Sequence, residues 1–139
     1  MDIRLIFLPA LAMVMLTVAV MLRMVTARVG EMKRERIHPQ AVATSAQAAA
    51  RFGDTRAADN FRNLFELPVL FYVALLFAAQ TGQVTMTTLA LAWLFVVLRA
   101  AHSYIQCTYN KVMHRFKAYL ASAAVLLALW VSLAVCLFL

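Results

Sequence analysis

The sequence is short of charge, and that shortage excludes more than any other feature. Charged residues make up 14% of its 139 residues, against roughly 25% in an ordinary soluble domain. Three stretches, Leu5–Leu22, Leu67–Leu98 and Ala118–Leu139, carry no charged residue at all. Glycine and proline are scarce, with three of each, so the few that occur stand out as turns, helix ends or kinks. Two cysteines, Cys107 and Cys136, make no metal-ligand spacing, and they are expected at opposite ends of their helices, too far apart to pair. Both read as small apolar packing residues.

What is present is hydrophobic: 65% of residues and a mean hydropathy of +0.82. A span needs about 20 predominantly apolar residues. The first and last uncharged stretches each supply one. The middle stretch supplies two, divided at Gln80-Thr81-Gly82-Gln83, which reads as a tight turn. The expectation is an all-α membrane protein, a four-helix up-down bundle forming one domain over residues 1–139. Its helices are placed at about 3–29, 56–80, 85–108 and 112–139, with a connection at about 31–55. The first run is longer than a signal-peptide core and shows no small-x-small cleavage site, so it is read as a retained helix. Gly30 is expected to close this first helix, and Pro68 to kink the second. The alanine-rich Gln40–Ala50 suggests a short helix along the bundle mouth.

The charges that do occur fall on one side. Every Lys and Arg except Arg4 flanks the first or third connection, and the second connection has none. The positive-inside rule therefore places those two connections in the cytoplasm and both termini outside. The net charge of +7 serves topology and attraction to anionic lipid. No motif supports nucleic-acid binding, and none supports a metal site.

Two polar stripes interrupt the apolar background. One runs Arg56, Asp59, Asn60, Asn63, Glu66, and the other Arg99, His102, Gln106, Tyr109. Both step by three or four residues, so each lines one helix face. Such faces persist in a bilayer only where they meet each other, water or a ligand, and by default they mark a functional site. The blander reading pairs Arg62 with Glu66 within one helix and treats His102 as a packing histidine. Lys111, His114, Arg115 and Lys117 at the next helix start read first as border anchors.

These motifs resemble those of the MAPEG superfamily, membrane-associated proteins in eicosanoid and glutathione metabolism. The family's Arg-x-x-x-Asn-x-x-Glu motif, followed by proline, fits the segment from Arg56 to Pro68 in two registers. One takes Arg56 and Asn60 and leaves Asn63 at the glutamate place. The other takes Asn63 and Glu66 and leaves Asp59 at the arginine place; it is preferred because Pro68 follows closely. Arg99-Ala100-Ala101-His102, with Arg115 on the next helix, is similar to the Arg-x-x-His element and later arginine of the prostaglandin-synthase branch. Where that branch has a tyrosine, this chain has Gln106.

The resemblance implies a homotrimer in a bacterial inner membrane, with glutathione as co-substrate, no metal, and an apolar electrophile or lipid hydroperoxide as acceptor. It implies that Arg115, or else Arg99, is catalytic and holds the thiol as thiolate. Arg56, Asn60, Asn63, Glu66, His102, Gln106 and Tyr109 would bind substrate, with Glu66 taking the ammonium. Two other readings stay open. One is a trimeric membrane protein that binds glutathione or lipid without catalysis. The other is a small proton-coupled transporter built on Glu66, against which stands the lack of any acid between Asp2 and Glu31.

Overall fold

The structure, a computed structural model, describes residues 2–138. Four helical passages, Ile3–Arg34, Arg56–Gln80, Met86–Cys107 and Val112–Phe138, are long and apolar enough to cross a bilayer. The first opens as a 3-10 turn over Ile3–Ile6, capped by Asp2, whose carboxylate accepts the Arg4 amide at 2.9 Å. It continues as α1, Phe7–Arg34. Pro9 falls in the first turn of α1, where a missing N–H removes no helical bond.

Contrary to expectation, Gly30 does not end α1. The helix runs on to Arg34, and the left-handed residue that stops it is Arg36, with φ of 52°. The Ile37 amide then reaches back to the Met32 carbonyl at 3.0 Å, the closing bond of a Schellman cap. Gly30 stays within the helix, at a typical cost of about 1 kcal/mol relative to alanine. The next residue, Glu31, accepts the Gly53 amide at 2.6 Å and pins the far end of the connection to α1.

Within that connection a 3-10 turn forms over Pro39–Val42 and an α-helix over α2, Ser45–Arg51. Thr44 and Gln47 form a reciprocal capping box at its start, satisfying two donors that a seven-residue helix would otherwise leave free. Ala48 and Phe52 are buried, so the segment is packed down.

The second passage is broken rather than kinked. It comprises α3, Arg56–Asn63, and α4, Leu67–Gln80, with Leu64–Glu66 between them. Pro68 is the second residue of α4. A proline ring excludes the carbonyl four residues earlier, here that of Leu64, and has no N–H to offer it. The disruption therefore appears ahead of Pro68, not at it. At its other end α4 closes on Gly82, with φ of 69°, and the Gln83 amide bonds to the Ala78 carbonyl at 2.9 Å. α5, Met86–Cys107, is capped by the Thr85 hydroxyl, and α6, Val112–Phe138, returns beside it.

α5 packs most extensively on α6 and also touches α1, α3 and α4. The apolar core joins Met13 and Val20 of α1, Phe71 and Ala78 of α4, Phe95 of α5, and Leu129 of α6. Phe71 and Phe95 stack with centroids 4.5 Å apart. Only one face of each helix is spent this way: Leu11, Val97 and Leu127 are each well over half exposed or nearly so. An outer coat of that kind suits lipid or another apolar partner, as bilayer-embedded helices do. At the basic end, Arg23 donates to the Cys107 carbonyl at 3.1 Å. Arg56 donates to the Thr108 carbonyl. These bonds fasten α1 and the start of α3 to the α5–α6 turn.

Candidate functional site

The two polar stripes meet. α5 carries Arg99, His102, Ser103, Gln106 and Cys107 on one buried face, at the 3–4 spacing of a helix surface. α3 faces it with Asn60 and Asn63. Ser103 donates its hydroxyl to Asn60 Oδ1 at 3.2 Å, and Asn60 Nδ2 points to Cys107 Sγ at 3.4 Å. Asn63 Nδ2 donates to Gln106 Oε1 at 3.2 Å. Arg99 Nη2 donates to the Asn63 carbonyl at 3.0 Å. That carbonyl lies at the end of α3, where the helix break leaves acceptors unfilled and the dipole favours a cation.

Arg99 is the anomaly of the chain. It is wholly buried, yet its Nε and Nη1 have no hydrogen-bond partner, and neither does Nδ1 of His102. The ion pairs among the described residues are Arg34–Glu35, Arg56–Asp54 and Arg62–Asp59, so Arg99 has no carboxylate in direct contact, and Glu66 acts on it only through space. Its contact beyond Asn63 is with Tyr119 of α6, whose ring lies 5.7 Å from the guanidinium and 5.9 Å from the His102 ring. A buried charge without an ion-pair partner in contact costs several kcal/mol.

An opening of about 200 Å³ adjoins it, walled by Asn63, His102, Arg115, Tyr119, Val112 and Phe116. Arg115 is half-buried and donates one nitrogen to Asn110 Oδ1 at 2.9 Å. The arrangement presents one guanidinium, an imidazole, an amide and a phenol around one small space, with the Arg99 guanidinium behind Tyr119. Guanidinium donors suit planar oxyanions and also favour a thiolate over a thiol.

The structure thus gathers Asn63, His102 and Arg115 at the opening, with Arg99 against Tyr119 behind it. Asn60 and Gln106 form an inner layer whose bonds go to α5 and α3. Glu66 stands exposed at the helix break. Arg62 does not pair with it, because the break destroys the one-turn spacing; Arg62 lies 3.8 Å from Asp59 instead. Arg56 is held outside the opening by Asp54, with two contacts of 2.8 Å. That guanidinium holds the Asp54 carboxyl down to about 2. Tyr109 is also outside, exposed, with its hydroxyl 3.2 Å from His114 Nδ1. Tyr119 escaped the sequence reading, although its place four residues after Arg115 puts the two on one face of α6. Cys107 is buried as expected, but as a hydrogen-bond acceptor. Cys136 is exposed.

The family model described as the MAPEG family matches residues 6–135, nearly the whole chain. The chain belongs to the MAPEG family. No curated protein and no solved structure matches it. MAPEG membership makes it an integral, multi-pass membrane protein of a family that is in general glutathione-related. Among the described residues no three His, Cys, Asp or Glu side chains converge as metal ligands.

Proposed function

We propose that the chain is the subunit of a membrane glutathione-dependent transferase or peroxidase, acting on apolar electrophiles or lipid hydroperoxides. The observation that carries this reading is the buried Arg99, with two unpartnered nitrogens and no carboxylate in contact, beside the opening formed by Asn63, His102 and Arg115. Glutathione brings two carboxylates, an ammonium and a thiol. Its carboxylate or thiolate supplies the missing negative charge, and Glu66 takes the ammonium. Arg115, at the rim, lowers the thiol pKa and holds the sulfur as thiolate. With an electrophile, the thiolate sulfur forms a bond to carbon, and the leaving group departs with its electron pair. With a hydroperoxide, the sulfur attacks the distal oxygen and the O–O bond breaks. The alkoxide takes a proton to become an alcohol. The resulting sulfenic acid is reduced by a second glutathione, giving disulfide and water.

An opening of about 200 Å³ is smaller than the roughly 300 Å³ at which small-molecule sites begin. It holds part of a tripeptide, and a neighbouring copy in a homotrimer encloses the rest, with the exposed Glu66 turned to that interface. The basic end faces the cytoplasm of a bacterial inner membrane, which places both termini outside. The test is conjugation of glutathione to a generic aromatic electrophile by the detergent-purified protein. A turnover above the uncatalysed rate supports the enzyme. Saturable glutathione binding without turnover replaces it with the binding-protein reading.

A further inference from the structure

We propose that the recess beneath α2 is a second ligand site, for a small amphiphilic oxyanion, separate from the Asn63–His102 opening. The recess has a volume of about 360 Å³ and lies between α1, the connection and α3. Its polar walls are Arg28, Arg62, Thr44 and Ser45, and its apolar walls include Met24 and Phe61. Two guanidiniums and two hydroxyl side chains thus face a space with no carboxylate in its lining. Such a set suits a carboxylate or phosphate on one side and a short apolar body on the other.

Neighbouring acids do not cancel this preference. A side recess of about 200 Å³ shares Arg28, Ser45 and Arg62 and adds Asp54 and Asp59. Asp54 is already engaged by Arg56 at 2.8 Å. Asp59 accepts the Thr55 hydroxyl at 2.9 Å and lies 3.8 Å from Arg62. Arg28 has no acidic partner among the described residues. Its guanidinium sits 5.8 Å over the buried Phe52 ring, which orients the fork while leaving its edge donors unspent. Consecutive residues on a helix point about 100° apart, so Arg62 serves this recess while Asn63 serves the other opening. No residue lines both.

An oxyanion of this kind comes either from a soluble carboxylate or phosphate ester, or from the headgroup of an anionic lipid at the basic end. The test is titration calorimetry of the detergent-purified chain with octanoate and with inorganic phosphate. Octanoate binds, phosphate binds more weakly, and Arg28→Gln weakens octanoate about tenfold or more, the usual loss of a charge-assisted hydrogen bond. Arg115→Leu, in the other opening, leaves octanoate binding unchanged. If Arg28→Gln does not fold, Ala48→Leu fills the recess from α2 and abolishes binding instead. Repeating the titration in nanodiscs separates the sources. Phosphatidylglycerol suppresses octanoate binding if a lipid headgroup occupies the recess, whereas binding equal to that in phosphatidylcholine identifies a soluble ligand. The proposal is overturned if octanoate fails to bind in detergent, if the folded recess variant binds like the wild type, or if Arg115→Leu removes binding.

Discussion

Replacing Arg99 with methionine separates a ligand-binding charge from a structural one. The guanidinium makes one hydrogen bond, to the Asn63 carbonyl at 3.0 Å, and one cation–π contact, to Tyr119. Losing the first costs about 1.5–3 kcal/mol, and losing the second about 1–2 kcal/mol in a desolvated setting. Against that stands the burial of a cation with two unfilled donor nitrogens, a penalty of several kcal/mol that methionine removes. The opposing effects nearly cancel, so Arg99→Met should change the stability of the ligand-free protein by no more than about 2 kcal/mol in either direction. Ligand stabilisation behaves differently. Glutathione at 100 times its dissociation constant stabilises the wild type by about 2.7 kcal/mol. A tenfold to hundredfold loss of affinity brings the same concentration down to about 0.4–1.4 kcal/mol. Thermal unfolding in mild detergent, with and without glutathione, reads both quantities. A ligand-free variant that collapses, together with unchanged stabilisation of whatever remains folded, would refute the reasoning and make Arg99 a purely structural cap of α3.

Three further outcomes follow from the same geometry. Pro68→Ala restores the donor and removes the ring that excludes the Leu64 carbonyl, so hydrogen exchange at the amides of residues 64–67 should slow; unchanged exchange would mean that Arg99, not Pro68, holds the helix open. Asp54 is depressed to about 2 by Arg56, so its stabilisation is full above the ordinary carboxylate range and is lost as pH falls from about 4 toward 2. Unfolding measured through that window should show a smaller acid-induced loss in Asp54→Asn than in the wild type. Native mass spectrometry in mild detergent should show trimers that carry glutathione, and monomers or dimers alone would contradict a site shared between copies.

The polar faces were legible because amides and charges at 3–4 spacing stand out against uncharged runs, and Asn63, His102 and Arg99 did converge. The break after Asn63 was not legible in the same way. Proline's steric conflict acts four residues upstream, so a kink expected at Pro68 becomes a gap over Leu64–Glu66. That gap is also why the Arg62–Glu66 pair of the blander reading does not form. The end of α1 was misplaced because Gly30 remains helical and Arg36 takes the left-handed conformation, for which arginine gives no warning. Tyr119 was hidden among apolar neighbours on α6, and only the packing of α6 on α5 reveals that it touches Arg99 and His102. Arg56 and Tyr109 share the periodicity of the stripes, yet periodicity carries no information about partners outside the helix; Asp54 and His114 take them.

The most direct test of thiol activation is the ultraviolet difference spectrum on adding glutathione to the purified protein at neutral pH. A free thiol has a pKa near 8.5, and a guanidinium in a poorly hydrated site lowers it by about a unit or more. Saturating glutathione should therefore produce a near-ultraviolet thiolate band, which Arg115→Leu removes while glutathione still binds through its carboxylates and ammonium. A wild type that binds glutathione and shows no such band would contradict the account.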